Sequence, residues 1–102
     1  MNNIEIVEVD MDLQELIPQF LENRRRDLDT LAELVEKDDS EALAQLAHRI
    51  KGAAAGYGFQ ELSKYASELE LLAKKKELQN ASNIAKAMRE HFERIEVKYV
   101  SM

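Results

Sequence analysis

Leu43 to Phe59 reads LAQLAHRIKGAAAGYGF, and how this stretch is read decides the fold. At about 100° per residue, Leu43, Leu46, Ala47, Ile50, Ala54 and Tyr57 gather on one side of a helix, the signature of an amphipathic segment with one face to bury. Gly56 and Gly58 then break the pattern. Two features do not fit a helix built only for packing. His48 points away from the apolar stripe, toward water, and Gly52 stands one turn after it, where alanine would stabilise the helix by about 1 kcal/mol.

Working outward, similar stripes recur on both sides. From Asp12, Leu13, Leu16, Ile17, Phe20 and Leu21 are spaced by threes and fours, and Pro18 marks a junction between a short first helix and a long one that runs to about Lys37. Asp38, Asp39 and Ser40 form a turn rich in capping groups. Asp38 with Glu41 matches a capping box, which starts the next helix near Ser40. Beyond Gly58 a further stripe runs through Leu62, Tyr65, Ala66, Leu69, Leu72 and Ala73 and closes in Lys74 to Lys76, cations suited to the negative end of a helix dipole. After Asn80 the last stripe comprises Ile84, Ala85, Met88, Phe92, Ile95 and Tyr99. Four long amphipathic helices joined by short turns predict an all-α fold, an antiparallel four-helix bundle with an additional short N-terminal helix. Residues 1–11, MNNIEIVEVDM, alternate apolar and polar positions but have no evident strand partner. They are expected as an extended arm on a bundle of residues 12–102.

Composition narrows the function. The 102 residues suffice for one core, and 45% hydrophobic content with only 3 Gly and 1 Pro disfavours both disorder and a many-stranded sandwich. A net charge of −6 argues against broad nucleic-acid binding. Without cysteine there is no disulfide or thiolate metal site, and with two distant histidines no metal site is expected. Neither a signal-peptide pattern nor an apolar run of the roughly 20 residues that span a bilayer is present, so a soluble, cytoplasmic protein without membrane contact is expected.

Helical side chains lean toward the N-terminus, so the residue at i+4 covers the surface over residue i. Glycine at 52 removes the cover over His48, and Lys51, at i+3, brings an ammonium to the same space. A neutral imidazole in water is a competent nucleophile near pH 7 without an activating partner, and a neighbouring cation stabilises transferred phosphoryl oxygens. That combination suits phosphoryl acceptance. Hydrolase triads need a nucleophilic Ser or Cys, an orienting acid and a cleft, and GAAAGYG matches no phosphate-binding loop.

His48-Arg-Ile-Lys51-Gly52, followed by small residues, Gly58 and Leu62, closely resembles the H-x-x-K-G signature of histidine-containing phosphotransfer domains. Leu16-Ile-Pro-Gln-Phe-Leu resembles the family's first-helix segment, and Glu68-Leu-Glu70 the close of its fourth-helix motif. The resemblance implies a phosphorelay intermediate. Its histidine accepts a phosphoryl group from the phosphoaspartate of a receiver domain, or from a histidine kinase, and passes it to a response-regulator aspartate. It implies a phosphocarrier with no ATP site and no bound cofactor, and a receiver that contributes Mg²⁺. It further implies that His48 is phosphorylated, that Lys51 stabilises the phosphoryl group and that Gly52 leaves room for the receiver. Gly58 shapes the turn, and Glu70 stands where some members place Gln near the imidazole. Gln45, one turn before His48, is a supporting candidate.

The partners implied are receiver domains of response regulators or hybrid histidine kinases. Ile17, Phe20, Ala44, Ala55, Arg49 and Lys64 are candidates for the surface that meets them. Residues 48–64, with Arg49, Lys51 and Lys64 against Glu61, carry a local charge of +2 that suits an acidic receiver pocket. The competing reading is a non-catalytic helical-bundle adaptor that binds receiver or kinase domains. His91 is an internal control: Arg94 and Ile95 follow it where Gly52 follows His48, and it is expected to remain unphosphorylated.

Overall fold

Three turns of three residues fix the architecture, and all three close the same way. The computed structural model describes residues 3–102, with helices α1 (Ile17–Glu36), α2 (Ser40–Gly56), α3 (Gln60–Lys74) and α4 (Leu78–Arg94). At each junction a backbone N–H reaches back six residues inclusive: Asp39 to Leu34 O at 3.1 Å, Phe59 to Ala54 O at 2.8 Å, and Glu77 to Leu72 O at 3.0 Å. The residue before each donor lies in the left-handed region, Asp38 at φ 53°, Gly58 at φ 90° and Lys76 at φ 60°. These bonds satisfy carbonyls that a helix end leaves orphaned, and the donor's own residue then takes the N-cap position of the next helix. With so few residues available, each turn reverses the chain, and the four helices form an up-and-down bundle.

The cap of α2 is one residue later than the capping-box reading. Asp39, not Asp38, accepts the backbone N–H of Ala42 at 3.1 Å, because Asp38 is occupied in the left-handed position of the turn.

Burial follows the stripes. Leu43, Ala47, Ile50 and Ala54 of α2 and Leu62, Ala66, Leu69 and Ala73 of α3 are buried, and these two helices share the most extensive contact among the described elements. Leu28 and Leu31 from α1 and Met88 and Phe92 from α4 complete the core.

The all-α expectation is corrected at both ends. Glu5–Asp10 forms a strand, β1, and Ile95–Val100 a second, β2, paired in parallel with Glu5 opposite Ile95 and Asp10 opposite Val100. The last helix therefore ends at Arg94, and Ile95 and Tyr99 belong to β2 rather than to its stripe. IEVKYV alternates apolar and polar, the period of a strand, and β1 supplies the hydrogen-bond partners that make it one. The expected arm thus has a partner after all, with Val9 fully buried against the bundle. Residues 1 and 2 of that arm lie outside the described residues. The additional N-terminal helix is also corrected. Met11–Leu13 is a single 3₁₀ turn, capped by the Asp10 carboxylate on the Asp12 N–H at 2.9 Å. Pro18 lies in the first turn of α1 itself, where its missing N–H leaves no bond unmade.

Candidate functional site

His48 occupies the outward face of α2, its side chain 67% exposed. From α3, Glu70 reaches across so that its Oε2 lies 3.0 Å from His48 Nδ1. An ionised carboxylate can only accept, so the shared proton belongs to Nδ1 and the neutral ring carries its lone pair on Nε2. Among the described residues Nε2 has no hydrogen-bond partner. It is left free to act as the nucleophile.

Glu70 is itself buried, yet two ammonium groups face it beside the His48 ring. Lys74 Nζ donates to Oε2 at 2.9 Å, and Lys51 Nζ lies 3.7 Å from Oε1. The hydrogen bond from Lys74 holds the Glu70 carboxyl below the ordinary carboxylate range against the upward push of burial, and the charges of Lys74, His48 and Lys51 add to that effect. Lys51 is tied in through its backbone as well: the Ser63 hydroxyl on α3 donates to its carbonyl at 3.1 Å. This bond links α3 to α2 one turn beyond the histidine.

At Gly52 a Cβ would meet no heavy atom within 4 Å. Packing inside the fold does not require this glycine, so its effect is on the outer surface, where it leaves the approach to the ring clear. On the other side of His48 lies an open depression of about 1000 Å³, bordered by Leu34, Gln45, Arg49, Glu70 and Lys74. Gln45 is exposed there, one turn before the histidine. Gly58 is remote from the ring and serves the α2–α3 turn, where its φ of 90° is open to glycine alone without strain.

The candidate docking surface is corrected in part. Ile17 and Phe20 are 1% and 3% exposed, and Ala44 is also buried. Ile17 and Phe20 are closed to a partner, whereas Ala44 still borders the open depression beside His48. Phe20 is held between Tyr57 and Phe59, with ring centroids 4.8 and 4.7 Å away, so the α1 stripe that looked like a possible patch belongs to the core. Ala55, Arg49 and Lys64 are exposed, and Lys64 pairs with Glu61 at 3.2 Å. Lys74 does more than complement the helix dipole: Glu70 to Lys74 is an i,i+4 acid–base spacing, and the two are in contact.

His91, like His48, has a carboxylate at Nδ1 but differs in exposure. It is 2% exposed, Glu5 of β1 faces its Nδ1, and its Nε2 is sealed from solvent. The first strand, rather than Arg94 and Ile95 alone, encloses it.

The Hpt domain family matches residues 15–98, which include the whole of this cluster. The chain belongs to the Hpt domain family. The crystal structure of histidine-containing phosphotransfer protein B from Pseudomonas aeruginosa PAO1 is similar to this Hpt domain with a TM-score of 0.74 at 31% identity, covering 76% of this chain and 68% of that one. No curated protein matches the chain. Membership assigns this Hpt domain a histidine phosphotransfer role in two-component signalling, as a phosphocarrier rather than a kinase. Among the described residues, no helix is long and apolar enough to cross a membrane.

Proposed function

We propose that Nε2 of His48 is the phosphoryl acceptor, receiving the group from the phosphoaspartate of a receiver domain and returning it to the aspartate of another. The observation that carries this reading is the hydrogen bond from Nδ1 of His48 to Glu70, which assigns the lone pair to the exposed nitrogen. The Nε2 lone pair attacks phosphorus, the bond from phosphorus to the aspartyl oxygen breaks, and the aspartate leaves as a carboxylate. Nδ1 keeps its proton, and the positive charge this places on the ring is offset by Glu70. Reversal of the same steps delivers the group onward.

Lys51, half-exposed beside the ring, offers its ammonium to the phosphoryl oxygens. Gly52 allows the receiver surface to come close. In this reading Mg²⁺ arrives with the receiver, and the chain holds no nucleotide of its own. The partners are receiver domains of response regulators or hybrid histidine kinases, met in the cytoplasm across the face that carries Ala55 and Arg49.

Incubation with a phosphorylated receiver tests the proposal. Acid-labile phosphate should appear on the wild-type chain and be absent from His48→Gln. Label that survives in His48→Gln, or a wild type that binds receivers but takes no phosphate from any of them, overturns it in favour of an adaptor.

A further inference from the structure

The Glu70 carboxylate that fixes the imidazole tautomer also creates a difficulty. A carboxylate against Nδ1 favours the doubly protonated ring as well as the Nδ1–H tautomer, and an imidazolium has no lone pair with which to attack. The structure contains a group placed to offset this. Lys74 donates to Glu70 Oε2, the same oxygen that accepts from His48. Both nitrogens lie within 3.0 Å of one atom, so they are no more than about 6 Å apart.

Resting on the phosphoacceptor reading of His48, we infer that Lys74 is a positioning residue which offsets the Glu70 charge at the oxygen shared with His48 and so preserves the Nε2 lone pair for attack. Other charged groups face the ring without sharing this oxygen. On α2 these are Glu41, Arg49 and Lys51, and in the turn after α3 Lys76, whereas α1 presents the uncharged Thr30 and Leu34. Lys51 is 3.7 Å from the other oxygen, Oε1, and is the ammonium assigned to the incoming phosphoryl group. Lys74, held at Oε2, has no such assignment and is free to remain there through the transfer. The depressed ionisation of Glu70, whose largest cause is the Lys74 hydrogen bond, agrees with this division of labour.

In the transfer from phosphoramidate, Nε2 bonds to phosphorus, the P–N bond of the donor breaks, and ammonia leaves. This donor needs no docking surface, so the rate reports the ring alone. The rate of His48 phosphorylation is measured against pH for wild type, Lys74→Met and Lys74→Arg. A unit charge about 6 Å away in a watery setting displaces a titration by about half a pH unit, so the acid limb of Lys74→Met should move up by that amount. The corresponding loss is about threefold on the limb. Lys74→Arg should restore the wild-type limb, and the displacement should shrink in 1 M salt. A merely structural role would lower the rate equally at every pH.

Nitrogen NMR of the His48 ring against pH provides a readout that needs no phosphoryl transfer. The doubly protonated ring should appear at higher pH in Lys74→Met than in wild type. Coincident limbs and coincident NMR titrations in wild type and Lys74→Met overturn the inference about Lys74. A wild type in which His48 takes no label, with the NMR displacement present, instead overturns the phosphoacceptor reading and leaves the Lys74–Glu70–His48 coupling standing.

Discussion

Glu70 Oε2 lies 3.0 Å from His48 Nδ1, although 22 residues separate the two in the chain. The close packing of α2 on α3 brings them together, and the Ser63 bond to the Lys51 carbonyl holds that packing beside the site. The reactivity of the histidine is therefore set from a neighbouring helix.

Glu70→Gln removes the charge while keeping a carbonyl oxygen that can still accept from Nδ1–H, whereas Glu70→Ala removes the acceptor. Phosphorylation of His48 should fall by about tenfold in Glu70→Ala, equivalent to about 1.4 kcal/mol of barrier. Glu70→Gln should fall between alanine and wild type. Single-turnover rates with phosphoramidate measure this. Equal rates in the alanine variant and wild type would show that Glu70 does not orient the ring.

The depressed ionisation of Glu70 makes part of the stability depend on pH. A carboxyl that is more acidic folded than unfolded contributes stability that is fully present above its unfolded value, near 4.5, and is lost as pH falls through its lower folded value. Urea midpoints at pH 7 and pH 3 for wild type and Glu70→Gln test this. The midpoint of the wild type should drop more than that of the variant on acidification, and parallel drops would contradict the assignment.

Gly52 allows helix propensity and access to be separated. Its Cβ position is empty, so Gly52→Ala should stabilise the fold by about 0.5–1 kcal/mol, seen as a rise of several degrees in Tm. Gly52→Gln should fold as well as wild type, by circular dichroism, and yet lose transfer from a phosphorylated receiver. Full transfer in that variant would mean the glycine is not there for access.

The small sheet should matter to stability. Val9 is 1% exposed on β1, and Val9→Ala should cost about 2 kcal/mol in chemical denaturation. A loss below about 0.5 kcal/mol, the usual range of a surface substitution, would show that β1 is not packed as described.

The helices and their order were legible because each carries a stripe at helical spacing, interrupted in the first only by the polar Arg24 to Asp27, and His48 with Gly52 was legible because a glycine has no packing reason to stand on an outward face. The sheet was not. β1 alternates plainly, but its partner lies about 90 residues away, and no Gly or Pro separates α4 from β2, so Ile95 and Tyr99 extended the helical count. Ile17 and Phe20 illustrate a second limit. Helical spacing shows that two residues share a face, not whether that face is covered, and here Tyr57 and Phe59 from the α2–α3 connection cover it. Lys74 needed the structure because its role depends on which carboxylate oxygen it meets.

The central claim, that the nitrogen turned away from Glu70 carries the phosphoryl group, has a direct test. Phosphorus–nitrogen couplings in the phosphorylated, ¹⁵N-labelled protein report which ring atom bears the phosphorus. The account predicts phosphorus on Nε2 of His48, a proton retained on Nδ1, and unmodified signals from His91. Phosphorus on Nδ1 of His48, or on His91, would contradict it.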